Sequence, residues 1–226
     1  MSETLVREHI ERLGIVPVVR AKSPELARRA IDALRAGGVT VFEVTLTVPG
    51  AVDLIKTLCQ EVGRDVLIGA GTVLTQADAE RCIDAGARFI VSPGFDERIV
   101  DVSRARGIAV MPGALTPTEV IKAWQAGASM VKIFPCSAMG GAKYLKALRG
   151  PLPDVKLLPT GGVSLQTAAE YIHAGAAALG IGGELVDQGA LEAGKDAELS
   201  RRARELIDAV HKARTPENGQ PRPALV

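Results

Sequence analysis

One unit recurs along this chain and dictates what it can fold into: a helix-like segment runs into a glycine, and an apolar run begins at once. It occurs at Ala36–Gly38 before VTVFEV, at Ala85 before RFIVS and at Gly107 before IAVMP. It returns at Ala126 before SMVKIF and at Ala174 before AALGIG. A glycine just past a helix takes the left-handed conformation that stops it, so the strand starts immediately. Three more apolar runs, IVPVV from Ile15, VLIGA from Val66 and VKLLP from Val155, bring the candidate strands to eight. Their starts, near residues 15, 40, 66, 88, 108, 129, 155 and 178, are separated by one strand plus one helix. Eight such units predict an α/β fold, a (β/α)8 TIM barrel. The runs are continuously apolar, as parallel strands covered on both faces must be. The competing arrangement, an open doubly wound sheet, wants fewer strands and a GxGxxG after the first. Here RAKSP follows strand one, which favours the closed barrel.

The intervening segments carry helix punctuation. Ser23-Pro24 and Thr116-Pro117-Thr118-Glu119 each place a capping residue before a proline at the first helical position. An amphipathic stretch near Thr4–Leu13 predicts an N-terminal helix capping the barrel bottom. The reading is therefore one barrel domain over 1–213, with 214–226, rich in proline and polar residues, as a flexible C-terminal tail.

Composition narrows the partners. Lys plus Arg (27) nearly balance Asp plus Glu (26), which excludes the basic bias of a nucleic-acid binder. Aromatic residues make up only 3%, too few for base-stacking platforms. Cys59, Cys82 and Cys136 are too scattered for a disulfide scaffold or a CxxC metal site, and free thiols fit a cytoplasmic protein. No apolar run is long enough for a membrane helix, and the charged N-terminus lacks a signal-peptide segment. His9, His173 and His211 fall on expected helices without metal-ligand spacing, so no metal is expected.

In such barrels chemistry gathers at the C-terminal ends of the strands. Strand one ends in Arg20, strand two contains Glu43, and strand six carries Lys132 within MVKIFP. An ammonium among Val131, Ile133 and Phe134 is costly to bury, and desolvation draws its pKa toward neutrality, making a nucleophile for carbonyls. The bland alternative is a lysine that reaches solvent or pairs with a carboxylate. Glu43, a second ionisable group in an apolar strand, shifts the balance, because a buried ion pair adds little stability over apolar residues. An amine nucleophile beside a carboxylate proton shuttle uses both. The two effects on the lysine oppose each other, since burial lowers its pKa and the carboxylate raises it. Lys156 lies early in its strand, at the opposite rim, where a structural role is expected. Gly161, Gly162, Gly182 and Gly183 end strands seven and eight, where many barrels hold a phosphate on backbone N–H groups. Cys136 and Trp124 read as packing residues and Arg201–Glu205 as a solvated helix face.

The segments VFEVTLTVPGA, IGAGTVLT, FIVSPG, VMPG, VKIFPCSAMGG, LLPTGGV and GIGGELV, in this order and spacing, resemble those of the 2-keto-3-deoxy-6-phosphogluconate (KDPG) and 4-hydroxy-2-oxoglutarate (KHG) aldolases, over about Arg7 to His211. The resemblance implies a homotrimeric class I aldolase, free of metal and other cofactors. It would release pyruvate and either glyceraldehyde 3-phosphate or glyoxylate. By motif, Lys132 would form the Schiff base and Glu43 would shuttle protons. Arg20 and Thr72 would hold the pyruvyl carboxylate; Pro93, Phe134 and Thr160 would shape the pocket; and Gly161, Gly162, Gly182 and Gly183 would surround the phosphate. Two positions depart from the pattern. Thr47 stands where many members carry a carboxylate-binding arginine, and a subset with Thr-Val-Pro there, as at Thr47–Pro49, has an arginine ending strand one, matching Arg20. Glu184 replaces a phosphate-contacting serine, which leaves KDPG, KHG and a nonphosphorylated or C4-epimeric sugar acid all open as substrates. Two other readings stand beside the aldolase: a magnesium-dependent transferase resembling thiamine phosphate synthase, and a non-catalytic phosphate-ligand-binding barrel.

Overall fold

A computed structural model describes residues 1–215. Nine parallel strands curl around one axis: β1 (Ile15–Val19), β2 (Val41–Thr45), β3 (Leu67–Gly71), β4 (Phe89–Val91), β5 (Ala109–Met111), β6 (Gly113–Ala114), β7 (Val131–Ile133), β8 (Leu157–Pro159) and β9 (Leu179–Ile181). They form a six-stranded sheet, ordered β5-β4-β3-β2-β1-β9, and a three-stranded sheet, β6-β7-β8. Eight apolar runs yield nine strands because the fifth is split at Pro112, which has no N–H for the ladder. That junction stays stitched: Ser129 N–H donates to the Val110 carbonyl at 2.9 Å, and Lys132 N–H to the Pro112 carbonyl at 2.9 Å. The other seam closes through parallel bridges Leu157–Ala176 and Thr160–Gly180. The expected eight-staple barrel is what the chain forms.

The local signals act as the sequence implied. Gly38, Gly86, Gly107, Gly127 and Gly175 all have positive φ just past helix ends. Ser23 caps α2 (Pro24–Ala36), and Thr116 and Glu119 form a reciprocal capping box on α6 (Pro117–Gln125).

Two apolar layers result from the two-residue strand period. Outward residues such as Ile15, Val19, Ile68, Ile90 and Val110 pack under the helices. Inward residues such as Val16, Val41, Leu67, Phe89 and Met111 fill the lower barrel. Helix α1 (Glu3–Leu13) closes that end, with Val6 and Ile10 joining the inward cluster. Burying each of these two side chains contributes about 1.5–3 kcal/mol. Lys156 lies at this rim, paired with Glu11 of α1 at 3.1 Å, which is the structural role its early strand position implies.

The last helix, α10 (Asp196–Arg214), corrects the expected tail boundary by one residue. Arg214 is helical, and its guanidinium donates to the Glu11, Arg12 and Ala177 carbonyls, tying it beneath the barrel. The rest of the expected tail, beyond Thr215, lies outside the described residues.

Candidate active site

Halfway up the barrel the inward positions stop being apolar. Glu43 is the middle residue of β2, in register with Val18 on one side and Gly69 on the other. Lys132 is the middle residue of β7, in register with Gly113 and Leu158. Both side chains therefore project into the barrel, 1% and 6% exposed respectively. Their charged ends meet, with Lys132 Nζ 3.7 Å from Glu43 Oε1. That is ion-pair range but too long for a hydrogen bond. Glu43 Oε1 has no hydrogen-bond partner among the described residues, an arrangement costly in a purely structural pair. The ammonium also sits 5.4 Å from the centre of the Phe134 ring, within cation–π range.

Room for this pair comes from glycine. A Cβ on Gly71, an inward position of β3, would overlap the Glu43 carboxyl group, and one on Gly69 would overlap the Phe89 ring. Gly180 likewise leaves space for the Thr160 hydroxyl.

Above the pair opens a cavity of about 300 Å³. Arg20, Lys132, Phe134, Thr160, Gly161, Gly162, Gly182 and Gly183, all singled out from the sequence, line it. Glu43 is not on its walls and meets it through Lys132, 3.7 Å away. Thr72 and Pro93 are not on its walls: Thr72 lines a neighbouring groove with Thr47 and Pro49, and the Pro93 carbonyl stands against Gly113. Thr72 has φ +57°, a left-handed backbone in a β-branched residue, which costs about 1–3 kcal/mol and is typical of functional positions. Thr47 shares a hydrogen bond of 2.7 Å with the buried Thr45 hydroxyl, which in turn donates to the Val19 carbonyl. The Arg20 guanidinium is exposed and makes no ion pair or hydrogen bond with the described residues, so a charged group at the cavity mouth remains free for an anion.

The sequence reading missed Gln188, which lines the cavity and donates from Nε2 to the Arg20 carbonyl at 3.0 Å. No motif marks it; only the fold brings the segment after β9 against the end of β1. Cys136, just past β7, is buried, and burial pushes its thiol up to about 11, so it is an inert packing residue. Among the described residues, no group of three or more His, Cys, Asp or Glu is placed to hold a metal ion, and no helix is long and apolar enough to cross a membrane.

Comparison with known proteins agrees with this geometry. A family model described as KDPG and KHG aldolase matches residues 6–201. A 2-dehydro-3-deoxy-phosphogluconate aldolase of Treponema pallidum is 41% identical over 73% of this chain and 78% of its own length. A KHG/KDPG aldolase of Escherichia coli K12 is 39% identical over 86% of this chain and 91% of its own. A crystal structure of the KDPG aldolase from Legionella pneumophila, with pyruvate captured as a covalent carbinolamine, superposes with a TM-score of 0.82. It is 32% identical and covers 88% of this chain and 97% of that one. With this family match, these identities and a lysine–glutamate pair at the floor of the barrel's open end, the chain belongs to the KDPG and KHG aldolase family.

Proposed function

We propose that the chain is a class I aldolase that cleaves 4-hydroxy-2-keto acids, the class containing KDPG and KHG, with Lys132 as nucleophile and Glu43 as proton shuttle. The observation that carries this is the buried Lys132–Glu43 pair, whose amine lines the cavity and whose carboxylate Oε1, 3.7 Å away, is left without a hydrogen bond. The free amine of Lys132 adds to the C2 carbonyl, giving a carbinolamine that loses water to an iminium. Glu43 takes the proton of the C4 hydroxyl, and the C3–C4 bond breaks. Its electron pair moves into the new C2–C3 double bond, neutralising the iminium nitrogen, and the aldehyde departs. Glu43 then returns its proton to C3, and water hydrolyses the pyruvyl iminium to pyruvate and free lysine. Burial excludes bulk water from the iminium and strengthens the electrostatic hold on it.

Arg20 supplies the cation for the C1 carboxylate, with its backbone fixed by Gln188. Thr72 assists from the end of β3, its strained backbone supporting a binding role. Phe134 and Thr160 shape the cavity, and Pro93, off its walls, backs Gly113 beside Lys132. Gly161, Gly162, Gly182 and Gly183 let the chain come close to the distal end of the substrate. We read residues 1–214 as a single catalytic barrel, assembled as a cytoplasmic homotrimer on the strength of family membership; sedimentation equilibrium tests the assembly.

Borohydride reduction in the presence of pyruvate tests the chemistry. Reduction should leave a stable adduct on the peptide containing Lys132. No adduct, or one that persists in Lys132→Ala, overturns the reading.

A further inference from the structure

The distal end of the cavity carries both hydrogen-bond donors and a negative charge. After β9 the Gly182 carbonyl accepts from Leu185 and Val186, opening a helical turn. The N–H groups of Gly183 and Glu184, at the start of that turn, donate to no acceptor among the described residues. Gly162, which lines the same cavity and precedes α8 (Leu165–His173), likewise has an N–H without an acceptor among the described residues. Glu184 stands between this cavity and an adjoining surface pocket and lines both. Its carboxylate is exposed and has no salt-bridge or hydrogen-bond partner among the described residues, although Arg201 and Arg202 line the adjoining surface pocket. Both arginines are engaged elsewhere, Arg201 with Glu205 and Arg202 with Glu198.

Free amides alone would suit any anion. A phosphate dianion, however, accepts from amides and has no proton for a carboxylate, and the charges repel. The group matching amides and carboxylate together is a hydroxyl, whose lone pairs accept from the N–H groups while its proton goes to the carboxylate.

Resting on the aldolase reading above, we infer that Glu184 is a specificity-determining residue that selects 4-hydroxy-2-keto acids ending in a neutral, hydroxylated terminus over those ending in phosphate. Selection is by charge. Glu184 is far enough into solvent for added salt to weaken it, since the Debye length is about 8 Å at physiological ionic strength.

The test compares kcat/KM for 2-keto-3-deoxygluconate and its 6-phosphate, which differ only at the terminus, in the wild-type protein, Glu184→Gln and Glu184→Ser. In the wild-type protein the nonphosphorylated acid should be preferred, and the preference should shrink as ionic strength rises. Glu184→Gln should shift the ratio of phosphorylated to nonphosphorylated kcat/KM upward by at least about tenfold, the size of the ionic effect at close range. It should also reduce the salt dependence of the ratio. A wild-type preference for the phosphate, or a ratio unmoved in both variants, overturns the inference. Pyruvate trapping on wild-type Lys132 separates the two claims: an adduct with an unmoved ratio refutes the role of Glu184 and leaves the aldolase standing, whereas no adduct refutes the aldolase itself.

Discussion

The Lys132–Glu43 pair trades stability for chemistry, and a double-mutant cycle measures the trade. At 3.7 Å the two charges attract by about 4 kcal/mol at an effective dielectric of about 20. Both groups lie almost wholly out of water, so their desolvation offsets much of that attraction. Glu43→Leu leaves an ammonium without its counter-charge, and Lys132→Met leaves a carboxylate one of whose oxygens already lacks a hydrogen bond. Each single change should cost about 3–5 kcal/mol, a large fraction of a typical folding free energy. The double variant extends the apolar layer of Met111 and Leu158 upward, with side chains similar in volume to those removed. It should recover to within about 1 kcal/mol of the wild-type protein, or exceed it. Urea unfolding at pH 7 and a fixed protein concentration, followed by two probes to check two-state behaviour, gives the four free energies. Single-variant losses that add within about 0.5 kcal/mol in the double would show that the two groups do not interact as placed. The double variant should also fail to trap pyruvate, whatever its stability.

Gly71→Ala should drive a methyl group into the Glu43 carboxyl, lowering stability by about 1–3 kcal/mol and disturbing the proton shuttle. Kinetic analysis should show kcat for pyruvate release falling more than KM changes, and an unaltered kcat would mean that Glu43 does not occupy that space. Burial raises the Cys82 and Cys136 thiols to about 11, so at pH 8 only about one in a thousand of each is thiolate. Iodoacetamide should therefore label the half-buried Cys59 of the native protein first, with labelling of the other two rising about tenfold per pH unit below 11. Peptide mapping that finds Cys136 labelled as fast as Cys59 at pH 8 refutes this.

Lys132 and Glu43 were legible in the sequence because an ionisable residue in an apolar run stands out, and the two-residue strand period says that such a residue faces either the barrel interior or the helices. The strand pattern was legible because a glycine after five of the helices fixes where the chain turns. The split at Pro112 was visible as letters, yet its effect depends on which ladder bond the missing N–H would have made. The uses of Gly69, Gly71 and Gly180 were hidden for a different reason. Each is defined by a side chain from another strand or just past its end, Phe89, Glu43 and Thr160 respectively, and no local pattern records a neighbour across the sheet. Thr72 is the extreme case, since β-branching argues against the left-handed backbone it adopts. Gln188 was illegible because its role is set by the register between the first and last strands.

The tie from Arg214 to the carbonyls of Glu11 and Ala177 brings the first and last helices together on the face remote from the reacting amine. The contact joins the C-terminal end of α1 to the C-terminal end of α10. A fused partner carried on either helix would hang below the floor, clear of the path by which keto acids enter.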